Sequence, residues 1–177
     1  MAFNSTAILT EKNTDSIIFD LFALIVITLV PPLSHMFSIP FYMIDPMRIM
    51  LVLAFVHTSK RNAYILAMLL PLFSFLISTN TVMIKMILIG SELSINVWLF
   101  YFLQKKLNND FMSMLLSILL SKIYYYPMKL GLIATGLLNG IFFDTPFYLQ
   151  AIVAFALSLY TFLILEKGNR VKTVKGS

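Results

Sequence analysis

The amino-acid sequence predicts an all-α fold, a polytopic membrane protein built as a compact bundle of six transmembrane helices with both termini cytoplasmic. Three observations predict it. The 177 residues are 59% hydrophobic and only 12% charged, with a mean hydropathy of +0.88, whereas a soluble domain is nearer half apolar and a quarter charged. Folding in water would leave too little polar surface to cover the outside. The apolar residues fall in runs that suit a hydrocarbon core of ~30 Å, which takes roughly 20 helical residues at ~1.5 Å each. Lys and Arg, finally, gather on one side of those runs.

The first run, Ile17 to about Pro31, follows Asn13 to Ser16, whose side chains can cap a helix. Residues 1–16 are then a cytoplasmic N-terminus; Glu11, Asp15 and the lack of a small-residue cleavage site argue against a removable signal peptide. The second run, about Phe41 to His57, is strongly apolar only after Pro46, and the third, Ala63 to Ile77, has Pro71 as a kink point. The fourth is Thr81 to Leu103, the fifth runs from Phe111 past Pro127 to about Leu138, and the sixth is Pro146 to Leu165. Residues 166–177 form a basic cytoplasmic tail, and residues 1–177 form a single domain. Between the first two runs lies "PPLSHMFSIPFYMIDPMR", Pro31 to Arg48, rich in aromatic residues and Met. It reads as an interfacial segment at headgroup level or as a lid over an outward-facing cavity.

Alternating the sides of the membrane puts Lys12, Lys60, Arg61, Lys105, Lys106, Lys167, Arg170, Lys172 and Lys175 together. Arg48, Lys85, Lys122 and Lys129 fall on the other side or within helices. The richer side is cytoplasmic by the positive-inside rule.

Several function classes fall away. The chain has no Cys, hence no thiol catalysis, disulfide or thiolate metal site. Its net charge of +5 is scattered in short clusters, which is no nucleic-acid footprint. His35 and His57 fall on opposite sides, no Gly-x-Ser-x-Gly elbow is present, and no cluster of ligating side chains calls for zinc. No Gly-rich loop cradles phosphate. Glu92 reads as the one acidic residue at depth, which excludes paired-carboxylate chemistry. The expectation is a non-enzyme with no cofactor and no metal.

Chemistry therefore has to reside in the polar residues inside the helices. Lys85, Glu92 and Asn96 share one narrow stripe on the fourth helix, and such a stripe faces the bundle interior or a water-filled cavity. On the fifth helix Lys122, Tyr125, Tyr126 and Lys129 cluster, beside Ser113, Ser117 and Ser121 at i, i+4 spacing with Tyr124 close by. Small residues at that spacing let helices approach closely. Counted from the helix ends, Glu92 and Lys122 both lie ~16 Å deep, near the midplane of a ~30 Å core. They either pair with each other to fix helix register or contact a polar ligand. Lys85, Lys129 and Arg48 with Tyr124 to Tyr126 form a cationic, aromatic mouth suited to a ring-containing anionic or zwitterionic small molecule. Interfacial anchoring is the plainer role for the two lysines. His57, beside Lys60 and Arg61, reads as an inner-loop histidine. The candidate substrate-binding residues are thus Glu92, Asn96, Lys122, Tyr125, Tyr126, Lys129 and Lys85.

Six short spans with both termini inside, a polar stripe on helices four to six, and the stretches "FYMIDPMRIMLVLAFVHTSKRNAYILAMLLPLFSFLI" and "TPFYLQAIVAFALSLYTFLI" together resemble the substrate-binding S components of energy-coupling factor (ECF) vitamin transporters. That resemblance implies a prokaryotic cytoplasmic-membrane protein for uptake of a small vitamin or precursor. Its partners would be a transmembrane coupling subunit, two ATPases and the bilayer, with no nucleic acid. It implies a pocket formed by helices four to six and the outer loops, with Glu92, Asn96, Lys122 and Tyr125 lining it and the segment Pro31 to Arg48 as lid. It also implies that Glu92→Gln abolishes tight ligand binding and leaves the fold intact. The size and span count are similar, too, to rod-shape-determining membrane proteins of the bacterial elongation machinery. That likeness implies an assembly scaffold, with Glu92 and Lys122 locked together and the serine stripe against a partner helix.

Overall fold

The computed structural model describes residues 4–38, 41–77, 83–138 and 145–175; for residues 4–13, 15, 42 and 167–175 it describes the backbone alone. All regular structure among the described residues is helical: α1 (Asn4–Phe37), a 3₁₀ turn (Phe41–Ile44), α2 (Pro46–His57), α3 (Lys60–Ile77), α4 (Met83–Leu107), α5 (Asp110–Ala134) and α6 (Phe147–Lys175). Four stretches are long and apolar enough to cross a membrane: Ser16–Phe37, Lys60–Ile77, Met83–Leu107 and Phe147–Glu166. α5 has the length, 25 residues, but its lysines, serines and tyrosines dilute its apolar character. α2 has 12 residues, ~18 Å of helix, which is short of a ~30 Å core.

Several boundaries differ from the sequence expectation. α1 does not stop at Pro31. It carries Pro31 and Pro32 within its last two turns, where each proline removes only one N–H from the ladder. The segment expected as a loop from Pro31 to Arg48 is therefore largely helical: the end of α1, the 3₁₀ turn and the first residues of α2. Ile39 and Pro40 lie outside the described residues, as does Thr81, the expected start of the fourth helix. The backbone is helical from Asn4, through most of the expected N-terminal extension, and to Lys175, through most of the basic tail. The side chains of Lys12, Lys167, Arg170, Lys172 and Lys175, on which the orientation count leans, lie outside the described ones.

Local chemistry accounts for the ends of α5. Asn109 caps its start, its side chain accepting from the Met112 N–H at 3.2 Å. Its end is closed by Gly136 in the left-handed region, φ 70°, with the Leu137 and Leu138 N–H groups returning to the Leu132 carbonyl at 3.0 and 3.1 Å. Pro127 is accommodated inside.

Helices α3 to α6 pack in sequence order, each on the next. α1 lies against α2 and α3, while α2 also touches α6 and so closes the ring. The dry core lies toward one end, where Leu51, Leu66, Leu93, Val97 and Met114 are fully enclosed. Phe55 stacks on Phe100 there, centroids 4.9 Å apart. The outside is as apolar as the core: Ile17, Leu21, Phe22 and Ile25 of α1, Trp98 and Phe102 of α4 and Phe155 of α6 are all more than half or about half exposed. A continuous apolar exterior of this extent belongs to a protein whose solvent is the bilayer.

Candidate functional site: a closed ring of charges in a cavity wall

The site begins at Asp45, the residue before α2. It sits in the left-handed region, φ 57° and ψ 61°, with Pro46 in the first helical position. That conformation costs a non-glycine residue roughly 1–2 kcal/mol. Its carboxylate makes no capping bond to α2. It turns to two cations instead: Arg48 Nε, one helical turn on, at 3.2 Å, and Lys122 Nζ of α5 at 3.5 Å. Arg48 in turn donates through its guanidinium to Glu92 Oε1 of α4. Lys122 Nζ lies 3.1 Å from the same Glu92 oxygen.

The four side chains thus form a closed ring of alternating sign: Asp45, Arg48, Glu92, Lys122. It joins the start of α2 to the middles of α4 and α5, and it is neutral as a whole. Neutrality matters because an isolated charge in an apolar bundle costs several kcal/mol. Burial is graded around the ring. The Arg48 and Glu92 side chains are 2% and 4% exposed, while those of Lys122 and Asp45 are 22% and 35% exposed. One edge of the ring is enclosed and the other is open.

The open edge faces a cavity of about 750 Å³, walled by side chains of all six helices and the 3₁₀ turn. Lys85 and Glu92 line it from α4, with Ile89 between them on the same face; Lys122, Tyr125 and Tyr126 line it from α5. Lys122 Nζ sits 5.3 Å over the Tyr125 ring. Tyr126 and Gln150 of α6 hold each other, Tyr126 Oη donating to Gln150 Oε1 at 2.8 Å, and the Gln150 amide also donates to the Thr145 carbonyl at 2.9 Å.

Five of the seven residues singled out in the sequence therefore meet at one cavity. Two do not line it. Asn96 is fully buried one turn beyond Glu92, where its amide donates to Ser121 Oγ at 3.3 Å. Lys129 is buried, 3% exposed, with its ammonium 6.0 Å from the Tyr125 ring. The depth match of Glu92 and Lys122 is realised as a direct contact, but Glu92 is not alone at that depth. Asp45 reaches it from the helix start, and Arg48, expected at the mouth, is the most enclosed cation of the ring. The signal that could have found them is the spacing of Asp45 and Arg48, three residues apart astride Pro46, which puts both on one face of the first turn of a helix.

The serine stripe takes the plain reading. Ser113, Ser117 and Ser121 are all fully buried, and their hydroxyls donate to carbonyls of their own helix at 2.7, 2.8 and 2.9 Å. They let α5 close on its neighbours. His57 ends α2 and shares a hydrogen bond of 2.8 Å with Tyr160 of α6. A second polar contact, Asn62 to Asp20 at 2.6 Å, ties α3 to α1. Among the described residues no three His, Cys, Asp or Glu side chains converge on a common point.

Chemically the wall offers a preformed apolar chamber with few fixed polar groups, the character of small-molecule sites of roughly 300–1,000 Å³. No family model, curated protein or solved structure matches the chain.

Proposed function

We propose that this chain is the membrane-embedded substrate-binding subunit of an uptake system for a small vitamin-like or precursor molecule. It resembles the S components of ECF transporters, and in this reading it works with a separate coupling subunit and ATPases in a prokaryotic cytoplasmic membrane. The chain then crosses six times with both termini cytoplasmic, the short α2 making its crossing together with the 3₁₀ turn before it, and the cavity opens outward near the start of α4 and the end of α5. It binds and does not catalyse. The single observation that carries this reading is the 750 Å³ cavity with a charged ring in its wall. A purely structural ion ring would be best enclosed on every side, yet here Asp45 and Lys122 are left partly open toward the space between the helices.

The ring also divides the roles. Arg48 and Glu92 hold the helices in register, while Lys122, Asp45 and Tyr125 present groups to a bound molecule. One observation favours a second reading, an assembly scaffold of the rod-shape-determining kind. Glu92 already has two cations as partners, Arg48 and Lys122, and so leaves little for a ligand. The two readings part on what comes out of the native membrane with the protein. Gentle extraction followed by mass spectrometry of bound proteins and small molecules tests both. ATPase subunits and a stoichiometric small molecule support uptake. Cell-wall synthases with no small molecule would sink it.

A further inference from the structure

Among the described residues, the charges lining the cavity do not balance. Asp45, Arg48, Glu92 and Lys122 cancel within the ring, but Lys85 lines the same space, and no ion pair or hydrogen bond from its ammonium is found among the described residues. The described cavity wall therefore carries three cations against two carboxylates, a surplus of one positive charge. Lys85 stands in the first turn of α4, where the helix dipole opposes a cation. It shares the inward face with Ile89 and Glu92, seven residues from the ring member on that helix. Away from Lys85 and the ring the wall is mainly apolar and aromatic, with Ile27, Val30 and Phe147, and its other polar groups, Ser74, Thr145 and Gln150, are neutral.

An unneutralised ammonium beside an apolar chamber selects for its counter-charge. We propose that the cavity takes a small monocarboxylate with an apolar, ring-sized body, its carboxylate held by Lys85 and its body lying toward Tyr125 and the open edge of the ring. This rests on the binding reading above and adds the chemical class. A neutral ligand leaves the surplus charge uncompensated. A zwitterion brings a second charge, and the carboxylates of the described wall, Asp45 and Glu92, are already paired.

The test uses the full chain in lipid nanodiscs and isothermal titration calorimetry with four matched probes: 3-phenylpropionate, its neutral amide, phenylalanine, and 3-phenylpropylammonium. The carboxylate is expected to bind about tenfold or more tighter than the amide, and the cation not at all. Lys85→Met should bring carboxylate and amide to equal affinity, Lys85→Arg should restore the preference, and the thermal midpoint of the unliganded protein should stay unchanged in both. Equal or tighter binding of amide, zwitterion or cation, or a preference that survives Lys85→Met, overturns the carboxylate assignment and leaves the binding reading standing. Failure of all four probes to bind overturns both.

Discussion

Helix α5 carries two polar regions that solve the same problem in opposite ways. On one face Ser113, Ser117 and Ser121 satisfy their hydroxyls on the helix's own carbonyls, three or four residues back. The residue next to Ser121, Lys122, points to another side of the helix and reaches Asp45, 77 residues away in the chain, and Glu92 on α4. Ser113 and Ser117 ask nothing of the rest of the fold beyond close approach, and Ser121 adds only an acceptor for the Asn96 amide of α4 at 3.3 Å. Lys122 requires that two other elements be in place. In an apolar solvent, local satisfaction is the ordinary way to carry a polar side chain, and satisfaction across helices marks a place where the bundle has been built around its charges.

The comparison breaks most sharply at the enclosed edge of the ring. Glu92→Leu leaves the Arg48 guanidinium, 2% exposed, with Asp45 alone, and removal of one partner from a buried pair costs about 3–5 kcal/mol. Arg48→Met should be comparable, since Glu92 then keeps only Lys122. The double variant, which removes a positive and a negative charge together, should cost less than either single change. Thermal unfolding of the four proteins in detergent closes that cycle. Additive losses, or single losses below about 1 kcal/mol, would show that the ring is not coupled. The milder Glu92→Gln is expected to lower stability as well as binding, because the carboxylate serves two cations and not a ligand alone.

How much of this could be read from the chain follows the same division between local and distant. The long apolar runs of α3, α4 and α6 are visible as runs, and the matching depth of Glu92 and Lys122, though not their contact, follows from counting ~1.5 Å per residue along two antiparallel helices. The extent of α1 was hidden by Pro31 and Pro32, which read as a stop signal, although near a helix end they cost only two ladder bonds. Asp45 was hidden for a related reason. Assigned to a loop outside the bilayer, it had no depth to match against Glu92. Only the 3₁₀ turn and the left-handed backbone at Asp45 bring it inward. Asn96 and Lys129 show the converse limit. Each shares a stripe with a cavity residue, yet a stripe defines an angle about the axis and not how far along it the cavity extends. Asn96 lies past its end, against Ser121.

On the serine side of α5 the expected effects are small. Ser117→Ala removes a hydroxyl whose bond runs to Met114 of the same helix and places a methyl in the same packing position. Even side-chain bonds between helices inside membranes average only about 0.6 kcal/mol, and alanine's better helix propensity returns a few tenths. The thermal midpoint in detergent should therefore move little. A loss as large as that of Glu92→Leu would mean that the stripe is a polar network after all, and the contrast between the two faces of α5 would fail.

Gly90 tests whether the tight packing that surrounds the ring leaves any slack. It faces α3 from the buried side of α4, two residues before Glu92, and a methyl built there meets Met68 Sδ at 3.6 Å and the Ala67 carbonyl and Pro71 Cγ at 3.9 Å. These are ordinary van der Waals distances, and the nearest atom is the end of a flexible side chain. Ala67 is also the residue whose carbonyl Pro71 deprives of its helical donor, so the space opposite it is held by α4 and not by its own helix. Gly90→Ala is accordingly expected to stabilise the bundle by up to about 0.5–1 kcal/mol, the usual gain of alanine over glycine within a helix. A clear loss in thermal unfolding would instead mean that α3 and α4 close further in the bilayer than the static distances indicate. The register that presents Lys85 and Glu92 to the cavity would then depend on a glycine at this position.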